Sequence, residues 1–423
     1  MAQAVDRGAA HRVIHVIGAG MAGLAAAIRL MDSNHAVTVY EAGPAAGGRC
    51  RSYHDRALDC LLDNGNHLWL SGNRAIAGFL RRVGAADTLA GPPDAQFPFF
   101  DLVTSRRWTV RPNRGLLPWW VLARRRAVPG ARLAEYAGLL NLLRAGPDAT
   151  VGSVMPRGAL WDRLLEPLVI AALNTSPAEG SARLMGNVVR ETLLRGGGAC
   201  IPAFPRIGLS HSFIDPALAT LAAGGAVVRT GCRVTAVDQS TGRVGTLQTS
   251  GGPIPIEPGD GVVLAVSAPV AQDLVPGTQA PNAFESIVNL HYRIDADGGG
   301  AGFVGLLGGT AEWVFVKPGV VSVTISAANR LIDRPQSDLA ATVWPEVAAS
   351  LCLSQPMPAW RVVKEKRATF AATPAQDRLR PPARTALANL VLAGDWTATG
   401  LPATIEGAIR SGQTAANVLM SAA

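Results

Sequence analysis

The chain has 423 residues, more than one hydrophobic core usually supports, so two domains are expected. Hydrophobic residues make up 48% of it and charged residues 17%, but no apolar run reaches the roughly 18 residues that a membrane-spanning helix needs. The net charge of +8 is carried almost wholly by arginine. Eight arginines and no acidic residue lie between Asp101 and Glu135, a block that predicts an anion-facing surface.

The cysteines and the first residues of the chain indicate the cellular compartment in which the protein is expected. The five cysteines are scattered, odd in number and without C-x-x-C spacing, so neither a disulfide framework nor a zinc site is expected. The leading segment MAQAVDRGAAHR has no hydrophobic signal stretch. These features predict a reducing, cytoplasmic compartment. No nucleic-acid partner is expected.

The first structural signal is a strand, a glycine loop and a helix. A β-branched run at 13–17 precedes the pattern Gly18-x-Gly20-x-x-Gly23 and an alanine-rich helical stretch. The three glycines allow a tight turn, the approach of a pyrophosphate and close helix packing, respectively. The predicted phosphate site includes Met21 and Ala22, because the start of a helix offers unpaired N–H groups. A purely structural glycine turn is the alternative.

A second β-rich run, at 36–40, ends in Glu41 and completes a βαβ unit. The Glu41 carboxylate would accept hydrogen bonds from a ribose 2′-hydroxyl, and its charge would disfavour a 2′-phosphate, which indicates FAD or NAD. Ala42 follows it in the predicted site. Gly48 and its glycine neighbour precede Arg49, which could place a guanidinium on the pyrophosphate. An ordinary glycine turn with a solvated arginine is the alternative.

The end of the chain carries a second strand-to-helix connection. An apolar run at 390–393 predicts a buried strand that ends at Gly394 and Asp395, and helical spacing begins at Thr404, which can cap the helix. A helix N-terminus stabilises the negative charge of a reduced flavin, and the backbone of Ile405 could donate to its pyrimidine end. Asp395 could bind the ribityl chain. A surface connection that binds nothing is the alternative.

These motifs together resemble the FAD-dependent amine oxidase and phytoene desaturase group. The resemblance rests on GAGMAGLAAA, the EAG…GGR run and GDWTATGLPATIEGAIRSG. Three further segments, DNGNHLWL, LNTSPAEGSARL and GGGACIPAFPRIGLS, are similar to its squalene-associated branch, the hydroxysqualene dehydroxylases of hopanoid biosynthesis. The similarity spans nearly the whole chain. In that branch a Gln usually stands at the position of Asn66.

The resemblance implies an α/β fold with a Rossmann-like FAD-binding domain that is discontinuous in sequence and a mixed α/β substrate domain. The FAD domain is expected at 1–100, 200–270 and 385–423, and the substrate domain at 101–199 and 271–384. The resemblance also makes Val234, in VRTGCRVTAV, the expected adenine contact.

The implied reaction removes the allylic hydroxyl of hydroxysqualene, a C30 isoprenoid, and gives squalene with hydride from reduced FAD. Such a site must be apolar and must contain one acid, because the hydroxyl leaves only after protonation. Asp63 and His67 are the expected catalytic residues, since in this superfamily the D-N-G-N-H stretch passes close to the isoalloxazine. Gly65 and Asn66 are the expected flavin contacts. A turn-capping Asp63 and a buried structural His67 are the alternatives.

Partners follow from the same resemblance. No second glycine fingerprint is present, so either NAD(P)H docks transiently at the flavin or a separate reductase supplies electrons. Because a C30 hydrocarbon resides in a bilayer, LLPWWVLARRR at 116–126 is expected to contact anionic lipid at the substrate entrance, peripherally on the inner face of the cell membrane. Other squalene-pathway enzymes are expected partners. The contact residues would be Trp119, Trp120, Arg124, Arg125 and Arg126; helical periodicity alone favours the core for the two tryptophans.

Three other functions compete with this interpretation. A carotenoid-type desaturase or an amine oxidase would use the same flavin oxidatively. An amine oxidase needs aromatic side chains around the substrate nitrogen, and the sequence has four tyrosines, with Trp396 as the aromatic residue of the terminal motif. A non-catalytic flavin-binding or lipid-carrier protein would bind FAD without turnover.

Overall fold

The computed structural model describes residues 12–239 and 242–421. Most of the segment MAQAVDRGAAHR, on which the compartment prediction partly rests, lies outside the described residues. Within these ranges, none of the helices combines the length and the apolar character needed to cross a lipid bilayer.

The described secondary structure mixes strands and helices along the chain. The strands, in chain order, are β1 Val13–Ile17, β2 Ala36–Tyr40, β3 Ser52–Asp55, β4 Cys60–Asp63, β5 Trp69–Leu70, β6 Leu89–Ala90, β7 Phe97–Asp101, β8 Arg106–Val110, β9 Pro202–Pro205, β10 Val227–Arg229, β11 Val234–Asp238, β12 Thr246–Thr249, β13 Gly252–Pro255, β14 Gly261–Leu264, β15 Phe284–Tyr292, β16 Phe303–Leu307, β17 Trp313–Lys317, β18 Val320–Ile325, β19 Trp360–Phe370 and β20 Leu390–Leu392. The α-helices are α1 Met21–Met31, α2 Arg74–Arg82, α3 Leu133–Ala137, α4 Leu139–Arg144, α5 Val151–Val154, α6 Glu166–Leu173, α7 Ala182–Glu191, α8 Asp215–Ala223, α9 Ala268–Leu274, α10 Gln336–Leu351, α11 Pro374–Arg378 and α12 Ile405–Ser421.

The first layer is a five-stranded parallel sheet in the order β10-β2-β1-β14-β20. Its central strands are almost fully buried, because α1, α8 and α12 cover one face and the other face shares a core with the small sheet β11-β12-β13. They therefore consist mostly of Val, Ile and Leu. The sheet takes its strands from the beginning, the middle and the end of the chain. The predicted α/β fold with a Rossmann-like sheet is therefore confirmed.

Helices α1 and α12 lie against each other beside this sheet, although they are almost 400 residues apart in sequence. The approach is close because a Cβ atom on Gly412 of α12 would lie 2.1 Å from the Ala22 carbonyl oxygen of α1. Only glycine fits at that distance. This contact brings the two motif-bearing ends of the chain together.

The second layer is a seven-stranded sheet in the order β19-β15-β18-β17-β16-β7-β8, antiparallel except between β16 and β7. One face, with Val314 and Val323, packs on α10. The other face carries Trp313 and Phe315 and belongs to a different core, shared with the helical region at 133–191. Because side chains alternate along a strand, the two faces have separate compositions. The second face turns toward the first layer.

Candidate functional site

The glycine loop after β1 has the shape that a phosphate site requires. A Cβ on Gly18 would lie 2.4 Å from the Ala265 carbonyl oxygen, and a Cβ on Gly23 would lie 1.9 Å from the Gly18 carbonyl oxygen. Both positions therefore need glycine so that the backbone segments can pack closely. Gly20 differs, because nothing lies within 4 Å of its Cβ position. No side chain caps α1 at this end. The free N–H groups at Met21 and Ala22 therefore face a space that an anion can fill.

Glu41 lies at the end of β2, next to this loop. Its carboxylate accepts hydrogen bonds from the backbone N–H of Ala19 at 2.9 Å and of Gly43 at 2.7 Å. Each oxygen retains a lone pair for a further donor, as a ribose hydroxyl would provide. The Glu41 carbonyl also accepts from the Cys232 N–H at 2.8 Å, which places the segment leading to Val234 beside it. The residues predicted for the adenosine side, including Ala42 between Glu41 and Gly43, therefore lie close together.

The glycine pair before Arg49 lies against the loop after β1. The Gly47 N–H donates to the Ala19 carbonyl at 2.8 Å, and a Cβ on Gly48 would lie 3.5 Å from the Gly20 Cα. Gly48 has a φ of +55°, a conformation that favours glycine. The pair thus lies against the loop at Gly20, and its contact with a pyrophosphate stays a prediction.

Arg49 joins the two halves of the site. Its guanidinium donates to both carboxylate oxygens of Asp395, at 2.8 and 2.7 Å, and to the Ala368 carbonyl of β19. The negative charge of Asp395 raises the pKa of Arg49. The predicted pyrophosphate ligand and the predicted ribityl ligand therefore pair with each other. Their roles toward the cofactor remain predictions.

The carboxy-terminal connection is built around Gly394. Its φ is +154°, and a Cβ there would lie 2.4 Å from the Trp396 indole nitrogen. Thr404 caps α12, because its hydroxyl accepts the Gly407 N–H at 3.0 Å. Ile405 begins the helix and is buried. A second helix N-terminus thus follows Asp395 in the chain, at Ile405.

The segment from Asp63 to His67 lies across the second sheet. The Asn66 amide donates to Thr324 at 3.1 Å, Thr324 donates to Asn289 at 2.9 Å, and the Asn289 amide donates to the Asn64 carbonyl at 3.2 Å. A Cβ on Gly65 would lie 3.2 Å from the Asn289 amide nitrogen, which keeps the segment close to the sheet. The side-chain amide oxygen of Asn66 is buried and has no hydrogen-bond partner among the described residues. It is an acceptor that a bound molecule can use.

Asp63 is buried and accepts three hydrogen bonds. The donors are the Ser52 hydroxyl at 2.6 Å, the Leu209 N–H at 2.8 Å and the Lys317 ammonium at 2.5 Å. All three partners are donors, so the carboxylate oxygens of Asp63 are occupied by Ser52, Leu209 and Lys317. The geometry therefore suits Asp63 for holding position, and its predicted catalytic role stays a prediction.

His67 lies in the same region and makes no hydrogen bond to any described residue. Burial lowers its pKa to about 4, and the nearby charges of Arg49 and Lys317 act in the same direction, whereas Asp63 opposes them. The imidazole is therefore neutral near pH 7. Asp63 and His67 lie in one cluster, in which the His67 ring is a neutral side chain without a hydrogen-bond partner among the described residues.

The face of the second sheet beneath this segment has a polar half and an aromatic half. Asn289, Thr324 and Trp313 lie opposite one another on adjacent strands, and His291, Ser322 and Phe315 form the next row of the same face. The aromatic half continues into a cluster of rings that contact one another edge-on or tilted: Phe97, Phe99, Phe204, Phe303, Trp313 and Phe315. This half of the face is therefore apolar and buried.

Sequence reasoning missed Lys317, Asn289 and Thr324, which hold the segment from Asp63 to His67 in place. Lys317 had a signal, since it is one of three lysines among 39 basic residues. Asn289 and Thr324 had none, because each lies within an otherwise ordinary strand and becomes important only through pairing of distant strands.

The structure separates the two adjacent tryptophans of the 116–126 segment. Trp119 is 53% exposed, whereas Trp120 is 7% exposed and packs edge-on against Tyr136. The prediction that both contact a membrane is therefore corrected for Trp120, which belongs to the core. The reason is that the segment forms a 3₁₀ turn, Trp119–Leu122, which points the two side chains in different directions.

The remainder of this segment faces outward. Leu116, Leu117 and Leu122 are exposed beside Trp119. Arg124 and Arg125 are also exposed. Arg126 instead lies over the Trp119 ring at 5.0 Å and donates to the Arg111 carbonyl at 3.0 Å, so it braces the turn.

Comparison with known proteins identifies relatives over the whole chain. The profile of the family described as flavin containing amine oxidoreductase matches residues 21–296 and 303–420. The hydroxysqualene dehydroxylase of Rhodopseudomonas palustris is 47% identical over 97% of this chain and 99% of its own. The enzyme of the same name from Sinorhizobium fredii is 46% identical over 96% and 98%, respectively. A probable zeta-carotene desaturase of Synechococcus elongatus matches only 18% of this chain, at 37% identity.

Solved structures share the fold at low sequence identity. An oxidoreductase from Methanosarcina mazei superposes with a TM-score of 0.73 at 15% identity, covering 97% of this chain and 100% of that one. Cyclohexylamine oxidase from Brevibacterium oxydans gives 0.67 at 16% identity, covering 97% and 99%. These likenesses establish the fold.

Gly20 offers a test of the phosphate space. We expect Gly20→Val to abolish bound flavin, because the new side chain fills the space in front of the α1 N-terminus, while the apoprotein keeps its thermal stability since nothing lies within 4 Å. Flavin absorbance per protein and the unfolding temperature are the measurements. Gly23→Val, whose Cβ would overlap the Gly18 oxygen, is the contrast and should fail to fold. Normal flavin content in Gly20→Val would contradict the assignment.

His67 and His291 give the stability a pH dependence. Burial lowers the pKa of each to about 4 from 6.5, so between these values the unfolded chain binds more protons than the folded one. We expect the free energy of unfolding to fall as pH drops from about 6.5 toward 4. Urea unfolding at pH 7 and pH 5 measures it. His67→Gln should reduce the difference, and the exposed His211→Gln should not. An unchanged difference in His67→Gln would show that the pKa of His67 is not lowered in the folded protein.

Proposed function

The chain belongs to the flavin-containing amine oxidoreductases and, within them, to the hydroxysqualene dehydroxylases, and we propose that it removes the allylic hydroxyl of hydroxysqualene to give squalene. The observation that carries this function is the identity of 44% to 47% with three enzymes of that name over 96% to 97% of the chain. The match includes the region that contains the second sheet, where substrate chemistry differs among enzymes of this fold.

The cofactor is FAD, and the residues present fit it. Gly20 and the uncapped start of α1 leave room and donors for a pyrophosphate, Glu41 stands beside them for a ribose, and the buried Asn66 oxygen is an acceptor without a partner. The start of α12 provides a second set of N–H groups for an electron-rich ring. Bound in this site in its reduced form, FAD supplies the hydride.

The side chains around this space would meet the other demands of the reaction. The aromatic half of the second sheet, with Trp313 and Phe315, would exclude water from an allylic cation, and aromatic faces attract cations. His67, with its free ring nitrogens, would hydrogen-bond the departing hydroxyl. Asp63 and Lys317 would fix the segment that carries His67.

Reduction of the flavin requires an electron donor from outside the chain. We propose NAD(P)H that docks transiently at the flavin or a separate reductase, because the sequence has one glycine fingerprint and the FAD site uses it. Other enzymes of squalene synthesis would be the partners that supply the hydroxylated substrate.

Membrane docking is the second part of the proposal. The exposed Leu116, Leu117, Trp119 and Leu122 form an apolar patch beside Arg124 and Arg125. Tryptophan and leucine favour the headgroup region, and each arginine near anionic lipid contributes about 1 kcal/mol. We propose that this patch docks on the inner face of the cell membrane, where a C30 hydrocarbon resides.

The reaction can be tested by single turnover. Enzyme whose FAD has been photoreduced without oxygen is mixed with hydroxysqualene, and we expect squalene to form in amounts equal to the flavin that is reoxidised. Gas chromatography and flavin absorbance are the measurements. Desaturated product from a polyene by the oxidised enzyme, with no squalene from the reduced one, would assign a desaturase. Tight FAD that never reoxidises with either substrate would assign a carrier.

The membrane patch can be tested with vesicles that contain anionic lipid. We expect Trp119→Ala and Leu122→Ala to weaken sedimentation with these vesicles several-fold while FAD content and unfolding temperature stay unchanged, because both side chains are exposed. Val103→Ala, an exposed residue on the β7–β8 turn, is the control. Trp120→Ala should instead lower the unfolding temperature. Undiminished vesicle binding by Trp119→Ala and Leu122→Ala would contradict the docking surface.

A further inference from the structure

A cavity of about 120 Å³ lies next to the Asp63–Lys317 ion pair. Its wall includes the exposed side chains of Leu61 and Ile207 at one end and the buried side chains of His291 and Ser322 at the other. The cavity therefore reaches from the protein surface to the polar half of the second sheet. Neither the FAD contacts nor the membrane patch explains it.

His291 is the unusual member of this wall. The side chain is 1% exposed, and its Nδ1 pairs with the Ser322 hydroxyl at 2.8 Å. Its Nε2 is buried and makes no hydrogen bond of normal geometry to a described residue, although the Asp63 backbone lies near enough to the imidazole to raise its pKa slightly against the effect of burial. A buried ring nitrogen without a hydrogen bond is costly, so a native structure normally satisfies it with water. His291 lines a cavity in which water can do so.

The cavity has the size and chemistry to hold ordered water. A buried water needs about 10–15 Å³ of accessible volume and two to four polar partners, so the space admits several. The polar residues Lys317, Asp63 and Ser322 line the cavity with His291. Such waters would connect solvent at Ile207 with groups inside the sheet.

The ion pair lines the cavity and also acts on the predicted reaction site. Asp63 lines the cavity and begins the segment that carries His67 four residues later. The charges of Asp63 and Lys317 both act on His67. A proton that enters by the cavity thus reaches the ion pair whose charges act on the side chain expected to meet the hydroxyl.

We propose that this cavity is the proton inlet of the reaction, with water held by His291 and the Asp63–Lys317 pair passing protons from solvent toward His67. The inference rests on the proposed function. One proton joins the departing hydroxyl, the C–O bond breaks and water leaves. The hydride from reduced FAD forms the new C–H bond, so charge and atoms balance. His291, Asp63 and Lys317 act here as positioning residues.

The inlet can be plugged without altering a titratable group. Ile207→Trp adds bulk at the exposed end of the cavity, and Val103→Trp adds the same bulk at an exposed turn elsewhere. Single turnover of photoreduced enzyme with hydroxysqualene is followed in H₂O and in D₂O. We expect Ile207→Trp to form squalene at least about tenfold more slowly with a larger solvent isotope effect, since proton transfer by positioned groups contributes about 10²–10⁴-fold. Val103→Trp should match the unaltered enzyme.

A second measurement reports water access without turnover. Exchange of the histidine C2 hydrogen in D₂O, followed by mass spectrometry, is compared for His291 and for His15, which is buried in β1 beside Asp260. We expect Ile207→Trp to slow exchange at His291 and leave His15 unchanged. Equal exchange at His291 with and without the plug would overturn water entry at Ile207.

The outcomes separate this inference from the function on which it rests. Slower His291 exchange with an unchanged turnover rate and isotope effect would overturn the inlet and leave the dehydroxylase intact. No squalene from the unaltered enzyme would overturn the proposed function and the inlet with it. A Lys317→Met, Asp63→Asn double variant, which leaves no unpaired charge, should repeat the isotope effect of the plug.

Discussion

The ion pair between Arg49 and Asp395 is the interaction on which the site depends. It joins a loop near the beginning of the chain to a strand end near its close, with two hydrogen bonds of 2.8 and 2.7 Å. A third bond, to Ala368, ties the same guanidinium to the second sheet. Because Asp395 is buried and charged, it requires this partner. Both glycine-rich connections and the sheet beneath them are thereby held around one space.

The second sheet determines what that space can do. On one face of it, Asn289, Thr324 and His291 make a polar half, and Trp313 and Phe315 begin an aromatic half. The polar half binds the segment that carries His67, whereas the aromatic half would keep water away in the proposed reaction. A reaction that needs one proton and a sheltered cation needs both halves together. The fold provides them by pairing strands that are distant in sequence.

Local motifs could be predicted from the sequence, whereas long-range pairing could not. The turn at Gly18, Gly20 and Gly23 depends on the glycines themselves, and the Thr404 cap depends on a residue three positions away. Both could therefore be predicted from neighbouring residues. The partner of Arg49 could not be predicted, since Asp395 is 346 residues away. Trp119 and Trp120 looked equivalent until a 3₁₀ turn pointed one outward and one inward. Composition indicated an interfacial segment but could not determine which side chains face outward.

The most direct measurement of the central claim is a double-mutant cycle on the pair that closes the site. FAD affinity and unfolding free energy are compared for Arg49→Met, Asp395→Asn and the double variant. If the two residues act as one unit, each single change should weaken FAD binding strongly and the second should add little, giving a coupling energy of about 0.5–3 kcal/mol. Losses that simply add would show that the pair does not hold the flavin site together.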